Sequence, residues 1–278
     1  MLPYLESQGA RIVRLVRGPA RGADQISWDP QRPLAPAAVS GFEAVIHLAG
    51  ESVSGRWTDT KKKAIRESRV LGTKHLTEAL AQTQSRPRVF ICASAIGYFG
   101  NRGDEVLTDA SSAGQGFLPA VCREWEAASE TAAGIRTVNL RFGLVLSPKG
   151  GALERMLTPF KLGAGGKIGS GQQWWSWVHV DDIVGALHHA LQTDALSGPV
   201  NMVAPNPVRN EEFTRVLASV LRRPAFFHVP AFALRLAFGE MADELLLSSE
   251  RVQPGKLLAT GYTFRFADLR TALEELLG

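Results

Sequence analysis

The sequence predicts a doubly wound α/β fold built on a parallel sheet, and three observations predict it. Short apolar runs of strand length alternate with long helical stretches over most of the chain. The runs are near-continuously apolar rather than alternating, as in strands covered on both faces. Glycine, proline and small polar residues punctuate the junctions between runs. Such alternation folds as crossover units around a parallel sheet, and ligands then sit beyond the C-terminal ends of the strands.

Taken in order, residues 2–8 read as the last turns of a helix, ended by Gly9 as a C′ residue. Strands are expected at RIVRLV (11–16), AVIHLAG (44–50), RVFICAS (88–94), RTVNLRFG (136–143) and PVNMVAP (199–205). Between them, 58–84, 117–133 and 181–192 are expected to be helical. From about residue 205 the pattern changes: helices at 210–222 and 268–277 flank a mixed segment rich in Pro, Phe and Leu. The expected division is a dinucleotide-binding domain over 1–204, with 151–175 inserted toward the substrate side, and a small C-terminal lobe over 205–278. The opening helix feeds a strand directly. In the strand order 3-2-1-4-5-6, a central strand and its glycine-rich phosphate loop are therefore expected ahead of residue 1. A sheet without that strand leaves two rows of buried backbone groups unpaired, which is prohibitive.

Composition narrows the function. The 278 residues are 45% hydrophobic and 21% charged, which suits a globular core and argues against disorder. Two cysteines exclude a disulfide scaffold and leave no metal-ligand cluster, so no metal is expected. No apolar run approaches the ~18 residues of a spanning helix, and MLPYLESQGA lacks the pattern of a signal peptide. A cytoplasmic protein without a membrane partner is expected. Net charge is +4, but residues 1–75 hold twelve basic against seven acidic side chains. Lys61-Lys62-Lys63 is read as a solvated basic face, with a positive patch for a phosphorylated ligand as the alternative. The chain shows no basic stripe interleaved with aromatics, so no nucleic-acid partner is expected.

The residues that follow the strands carry the chemistry. Arg17 follows the first strand with no acid nearby until Asp24. An acidic residue there selects NAD and an Arg accommodates the 2′-phosphate of NADP, so NADP is the expected cofactor. Leu48, Ala49, Gly50 and Glu51 follow the next strand, where small residues let the backbone approach the cofactor. His47 is read as a packed strand-end histidine. Arg69, on the following helix, is placed toward the cofactor, while packing explains Gly72 and Thr73. Ser94 and Tyr98, in ASAIGYFG, are the candidate catalytic hydroxyls, with a plain loop role as the alternative for Ser94. Gly143 and Leu144, after Arg141-Phe142, lie where a nicotinamide is expected.

VIHLAGES, SAIGYFG, LRFGLVL and WSWVHVDDIVGAL resemble the extended short-chain dehydrogenase/reductase superfamily. GGALERMLTPFKLGAGGKIGSGQQWWSWVHVDD (150–182) and FGEMADELLLSSERVQPGKLLATGYTFRF (238–266) resemble its atypical "epimerase family" branch, with a small C-terminal domain of unknown function. The resemblance implies an NADP-binding fold, a substrate lobe and an oxidoreductase or nucleotide-sugar-type epimerase acting on a small molecule, with a homodimer as one assembly. The superfamily's Tyr-x-x-x-Lys is absent, and Cys122 and Glu126 occupy those positions. A thiol beside a carboxylate does not replace a phenol beside an ammonium. Cys122 is therefore read as a small buried hydrophobe, and a non-catalytic NADP(H) sensor or interaction module remains the alternative function.

Four further features have bland readings. Gly163–Gly171 lacks the Gly-Lys-Ser/Thr ending of a phosphate loop and is read as a mobile substrate-site loop or turn. Trp174, Trp175 and Trp177 are read as core and lobe packing. Asp181-Asp182 reads as a helix N-cap. His188 and His189 are adjacent on a helix and point in different directions, so they form no metal pair.

Overall fold

All five expected strands form in the computed structural model, which describes residues 1–132 and 134–278. They are β1 (Arg14–Val16), β3 (Ala44–His47), β4 (Val89–Ala95), β5 (Arg136–Phe142) and β6 (Gly198–Met202). A further strand, β2 (Gln25–Ser27), has too few apolar residues for the pattern to reveal. The main sheet runs β6-β5-β4-β3 and all its pairs are parallel. β1 and β2 form a separate parallel pair, with Arg14 opposite Gln25. Among the described residues no ladder joins β1 to β3. Leu15 and Val45 nevertheless pack on one core with Trp28, Leu76 and Phe90. Side chains hold the two sheets beside each other where backbone bonds do not.

The helices cover both faces. α1 (Leu2–Ser7) ends as expected, with Gly9 at φ +83°. α2 (Asp59–Gln82) starts at Thr58, whose hydroxyl accepts the Lys61 N–H. Its inward stripe of Ile65, Gly72, Thr73, Leu76 and Leu80 is buried. α3 (Phe117–Glu130) buries Val121, Cys122, Trp125 and Glu126. Phe90 and Cys92 of β4 join the core that holds Leu76 and Trp125, whereas Val89 and Ile91 meet Ala186, Leu187 and Ala190 on the other face. The strand's period of two thus sorts one apolar run between two helical layers. The C-terminal lobe shares a core in which α4 (Gly151–Lys161) and, after α5 (Val180–Gln192), α6 (Asn210–Leu221) pack around Trp177. α7 (Ala231–Phe238) follows, and α8 (Leu269–Leu277) closes the same core.

Two local expectations are corrected. A third of the glycine-rich stretch is a strand: Gly166–Ile168 pairs in parallel with Phe227–Val229. A Cβ on Gly166 would lie 1.7 Å from the Phe227 carbonyl oxygen, so glycine is required there by strand packing. The acidic pair does not cap α5 either. His179 is the N-cap, its Nδ1 accepting the Asp181 N–H at 3.1 Å. Asp182 is buried, and its carboxylate accepts the backbone N–H groups of Arg265 and Phe266 at 2.8 and 3.0 Å and the Tyr262 hydroxyl at 3.1 Å. A carboxylate that satisfies three buried donors fastens the C-terminal segment to the domain.

Asp182→Ala leaves those donors without an acceptor. It is expected to cost about 2–4 kcal/mol in urea unfolding, at ~1–3 kcal/mol for each buried group left unsatisfied and with partial relaxation. Asp181→Ala, at an exposed site, is expected to stay within about 0.5 kcal/mol of the parent. Equal effects at the two positions would show that Asp182 does not anchor the segment.

Candidate active site

The C-terminal ends of β1 and β3 bring together Arg17, the loop Leu48–Glu51 and Arg69. Leu48 is 42% exposed, and Ala49 and Gly50 are also open to solvent. The loop lies on the Arg69 guanidinium: a Cβ on Gly50 would come within 3.1 Å of its Cζ. Arg69 donates to the Glu51 and Ile65 carbonyls at 2.9 and 3.1 Å and stands over the Trp125 ring at 5.1 Å. The Glu51 N–H donates to the Ser68 hydroxyl, and the Glu51 carboxylate accepts from Lys61 at 2.7 Å. Lys61, with smaller help from Arg17 and Arg69, holds the Glu51 carboxyl below the usual carboxylate range. Arg17 itself is exposed and makes no ion pair among the described residues. The lysine run is not a patch: Lys61 pairs with Glu51, Lys62 with Glu240 and Lys63 with Glu67.

A second cluster forms where β4, α3 and β5 meet. Arg141 and Glu126 make a bidentate pair at 2.7 and 2.8 Å, with side chains only 2% and 8% exposed. Ser94, at the end of β4, donates to the same Glu126 carboxylate at 2.7 Å. The Arg141 guanidinium stacks 3.6 Å from the Tyr98 ring centroid and also donates to the Asp109 carbonyl. Ser94, Tyr98, Glu126 and Arg141 are thus one network. Cys122 is 3% exposed, and burial, reinforced by the Glu126 charge, pushes its thiol up to about 12. A thiol this reluctant to ionise is a packed hydrophobe, as the sequence reading held.

The remaining strand-end residues serve packing. A Cβ on Gly143 would lie 2.5 Å from the Ser176 carbonyl oxygen and 2.7 Å from Val203, and the Leu144 N–H donates to that carbonyl at 2.8 Å. Their close partners are therefore Ser176 and Val203 of adjoining segments. His47 is 5% exposed, and its Nε2 has no hydrogen-bond partner. Trp177 is fully buried, whereas Trp174 lies between the guanidinium groups of Arg209 and Arg251.

Sequence reasoning missed the lobe's contribution. The Glu244 carboxylate accepts the Phe117 and Leu118 N–H groups at 2.7 Å each, capping α3 from the lobe. Glu250 lies close enough for its charge to be felt at Cys122. Desolvation pushes its carboxyl up to about 8; the Ser248 hydroxyl opposes the shift and the like charge of Glu244 adds to it. No spacing rule connects either residue to α3, since both arrive through lobe docking.

The family model for the NAD dependent epimerase/dehydratase family matches residues 1–203, and that for a domain of unknown function (DUF1731) matches residues 229–276. An epimerase family protein of Mycobacterium tuberculosis is 39% identical over 266 residues, covering 94% of this chain and 88% of the relative. The crystal structure of the human epimerase family protein SDR39U1 with NADPH superposes with a TM-score of 0.89 at 32% identity, covering 99% of this chain and 93% of that one. A nucleoside-diphosphate sugar epimerase from Corynebacterium glutamicum superposes with a TM-score of 0.81 at 38% identity, covering 98% of this chain and 54% of that one. Among the described residues, no helix is long and apolar enough to cross a membrane.

His47 makes stability depend on pH. Burial lowers its pKa from 6.5 to about 4, so the folded form keeps the ring neutral where the unfolded chain protonates it. The stability this provides is complete above pH 6.5 and is lost as pH falls toward 4, up to about 3 kcal/mol for a shift of this size. Urea unfolding at pH 7 and pH 4 is expected to show a steeper fall for the parent than for His47→Leu. Parallel falls would remove His47 as the cause.

Proposed function

Because the chain belongs to the NAD dependent epimerase/dehydratase family, within the extended short-chain dehydrogenases/reductases, we propose that it binds NADP(H) at the strand ends and moves a hydride between the nicotinamide and a carbonyl or hydroxyl compound. That step is common to oxidoreduction and to epimerisation. The observation that carries the reading is the Ser94 hydroxyl, held at the C-terminal end of β4 by the buried Glu126–Arg141 pair.

The residues present fit the adenosine end of NADP(H). Arg17 is an exposed guanidinium without an ion-pair partner among the described residues, which suits the 2′-phosphate. The open backbone of Leu48–Gly50, braced from below by Arg69, suits close approach of the nucleotide. When bound, the cofactor supplies or takes the hydride. Ser94 positions the substrate oxygen. Tyr98 delivers or accepts the proton on that oxygen, and its ring is held in place by the stacked Arg141 guanidinium. Cys122 takes no part.

The cofactor assignment is tested by fluorescence titration. A charge-assisted contact is worth roughly 1.5–3 kcal/mol, so Arg17→Ala is expected to weaken NADPH about 10- to 100-fold and to leave NADH unchanged. Equal losses would refute it. For the chemistry, Tyr98→Phe is expected to slow single-turnover oxidation of NADPH by a panel of aldehydes and ketones by ~10²–10⁴, the usual weight of general acid catalysis. Cys122→Ala should leave the rate nearly unchanged, and the reverse pattern would show the acid to be misassigned. One observation favours a second reading, a sensor of NADP(H): the dyad positions hold a buried thiol and a carboxylate consumed in an ion pair. NADPH binding without oxidation by any compound of the panel would favour that reading.

A further inference from the structure

A cavity of about 260 Å³ lies between the loop after β4, the start of α3 and the lobe. Its wall is formed by Gly97 and Gly100, which flank Tyr98, by Asn101, Gln115 and Pro119, and by Arg235, Asp243, Glu244 and Leu247 from the lobe. Pro119 stands one turn before Cys122, so the cavity adjoins the reactive end of the sheet. The reading developed next rests on the hydride-transfer proposal for that end.

The wall's charges are spent on one another. Arg235 donates to Asp243 at 2.9 Å, and the Glu244 carboxylate is engaged by two backbone donors of α3. The start of a helix is where a phosphate would be received, and here the protein's own carboxylate fills it. Gly116, at φ +125°, permits this, because a Cβ there would lie 2.7 Å from Glu244 Oε1. One guanidinium against two carboxylates leaves the wall with a net negative charge. The uncommitted polar groups are amides: Gln115, and the Asn101 nitrogen, whose amide oxygen already accepts from Gly103 and Ser249. Neutral amides pair with hydroxyl and carbonyl oxygens.

Size points the same way. At about 260 Å³ the cavity lies just below the ~300–1,000 Å³ of sites for drug-sized ligands. A nucleoside diphosphate sugar, with two phosphates, a base and two sugar rings, would extend beyond it.

We propose that this cavity, beside the turn that carries Tyr98, takes a small uncharged hydroxy-carbonyl compound rather than a phosphorylated or nucleotide-linked one. The full-length protein is titrated by saturation-transfer NMR and calorimetry with dihydroxyacetone, dihydroxyacetone phosphate and UDP-glucose, without turnover. Dihydroxyacetone is expected to bind at least about 10-fold more tightly than its phosphate, which meets the like charge of Glu244. Gln115→Ala is expected to weaken dihydroxyacetone by about 3- to 10-fold, the worth of one hydrogen bond, with NADPH affinity unchanged. Glu244→Ala, by freeing the start of α3, is expected to reverse the preference toward the phosphate. Tighter binding of either phosphorylated probe to the parent, no binding of dihydroxyacetone, or indifference to Gln115→Ala overturns the proposal. Failure of NADPH to bind while dihydroxyacetone binds would remove the hydride-transfer reading and leave the cavity's selectivity standing.

Discussion

The buried pair of Glu126 and Arg141 is the constraint on which the site's geometry depends. Two charges almost without solvent are tolerable only because nearly every lone pair and donor is used. The carboxylate takes both guanidinium donors and the Ser94 hydroxyl, and the guanidinium also reaches the Asp109 carbonyl and the Tyr98 ring. Removing either charged partner strands the other, at a typical cost of ~3–5 kcal/mol. Through these bonds α3, β5 and the end of β4 are held in one arrangement. The link continues outward: the Asp109 carboxylate accepts the backbone N–H groups of Asn201, on β6, and Lys256, in the C-terminal segment.

The lobe is tied to this centre at several points rather than lying over it. Glu244 caps α3, while Lys62 of α2 pairs with Glu240 at 2.8 Å. The Gly55 N–H donates to the Met241 sulfur and Arg56 donates to the Leu236 carbonyl. Trp57, Ile65, Leu118 and Met241 share a small apolar core beneath these bonds. The segment that leaves the C-terminal end of β3 therefore also fastens the wall of the cavity. A shift of residues 48–51 would be transmitted to the lobe through contiguous packing and charge pairs, a physical connection between the two ends of the proposed reaction.

Much of the sheet was legible because buried parallel strands need uninterrupted apolar side chains, a pattern a short window displays. β2 was not legible, since Gln25-Ile26-Ser27 offers one apolar residue. Strand-end residues Arg17, Leu48–Glu51, Ser94 and Tyr98 could be chosen because topology alone puts ligands beyond strand ends. Their partners could not: nothing in a linear pattern says that Glu126 would find Arg141, fifteen residues on, or that Glu244 would reach α3. Asp182 shows the same limit. Its place at the head of α5 suggested a cap, yet the tertiary fold brings it three donors from residues 262–266. Short-range rules fail where a buried polar group is satisfied from far along the chain.

The network also explains how the helix can forgo a phenol and an ammonium. Where the superfamily motif calls for a cation, this chain has an anion, and the compensating charge comes from β5 as Arg141. The cluster is neutral overall, so it does not itself promote a developing alkoxide as a lysine would. What it supplies is orientation. Ser94 spends its proton on Glu126. The aromatic hydroxyl stacked on the cluster among the described residues is Tyr98, carried by the turn that follows the strand of Ser94. Since Ser94, Tyr98 and Glu126 all contact Arg141 or its partner, substitutions among them should not add independently.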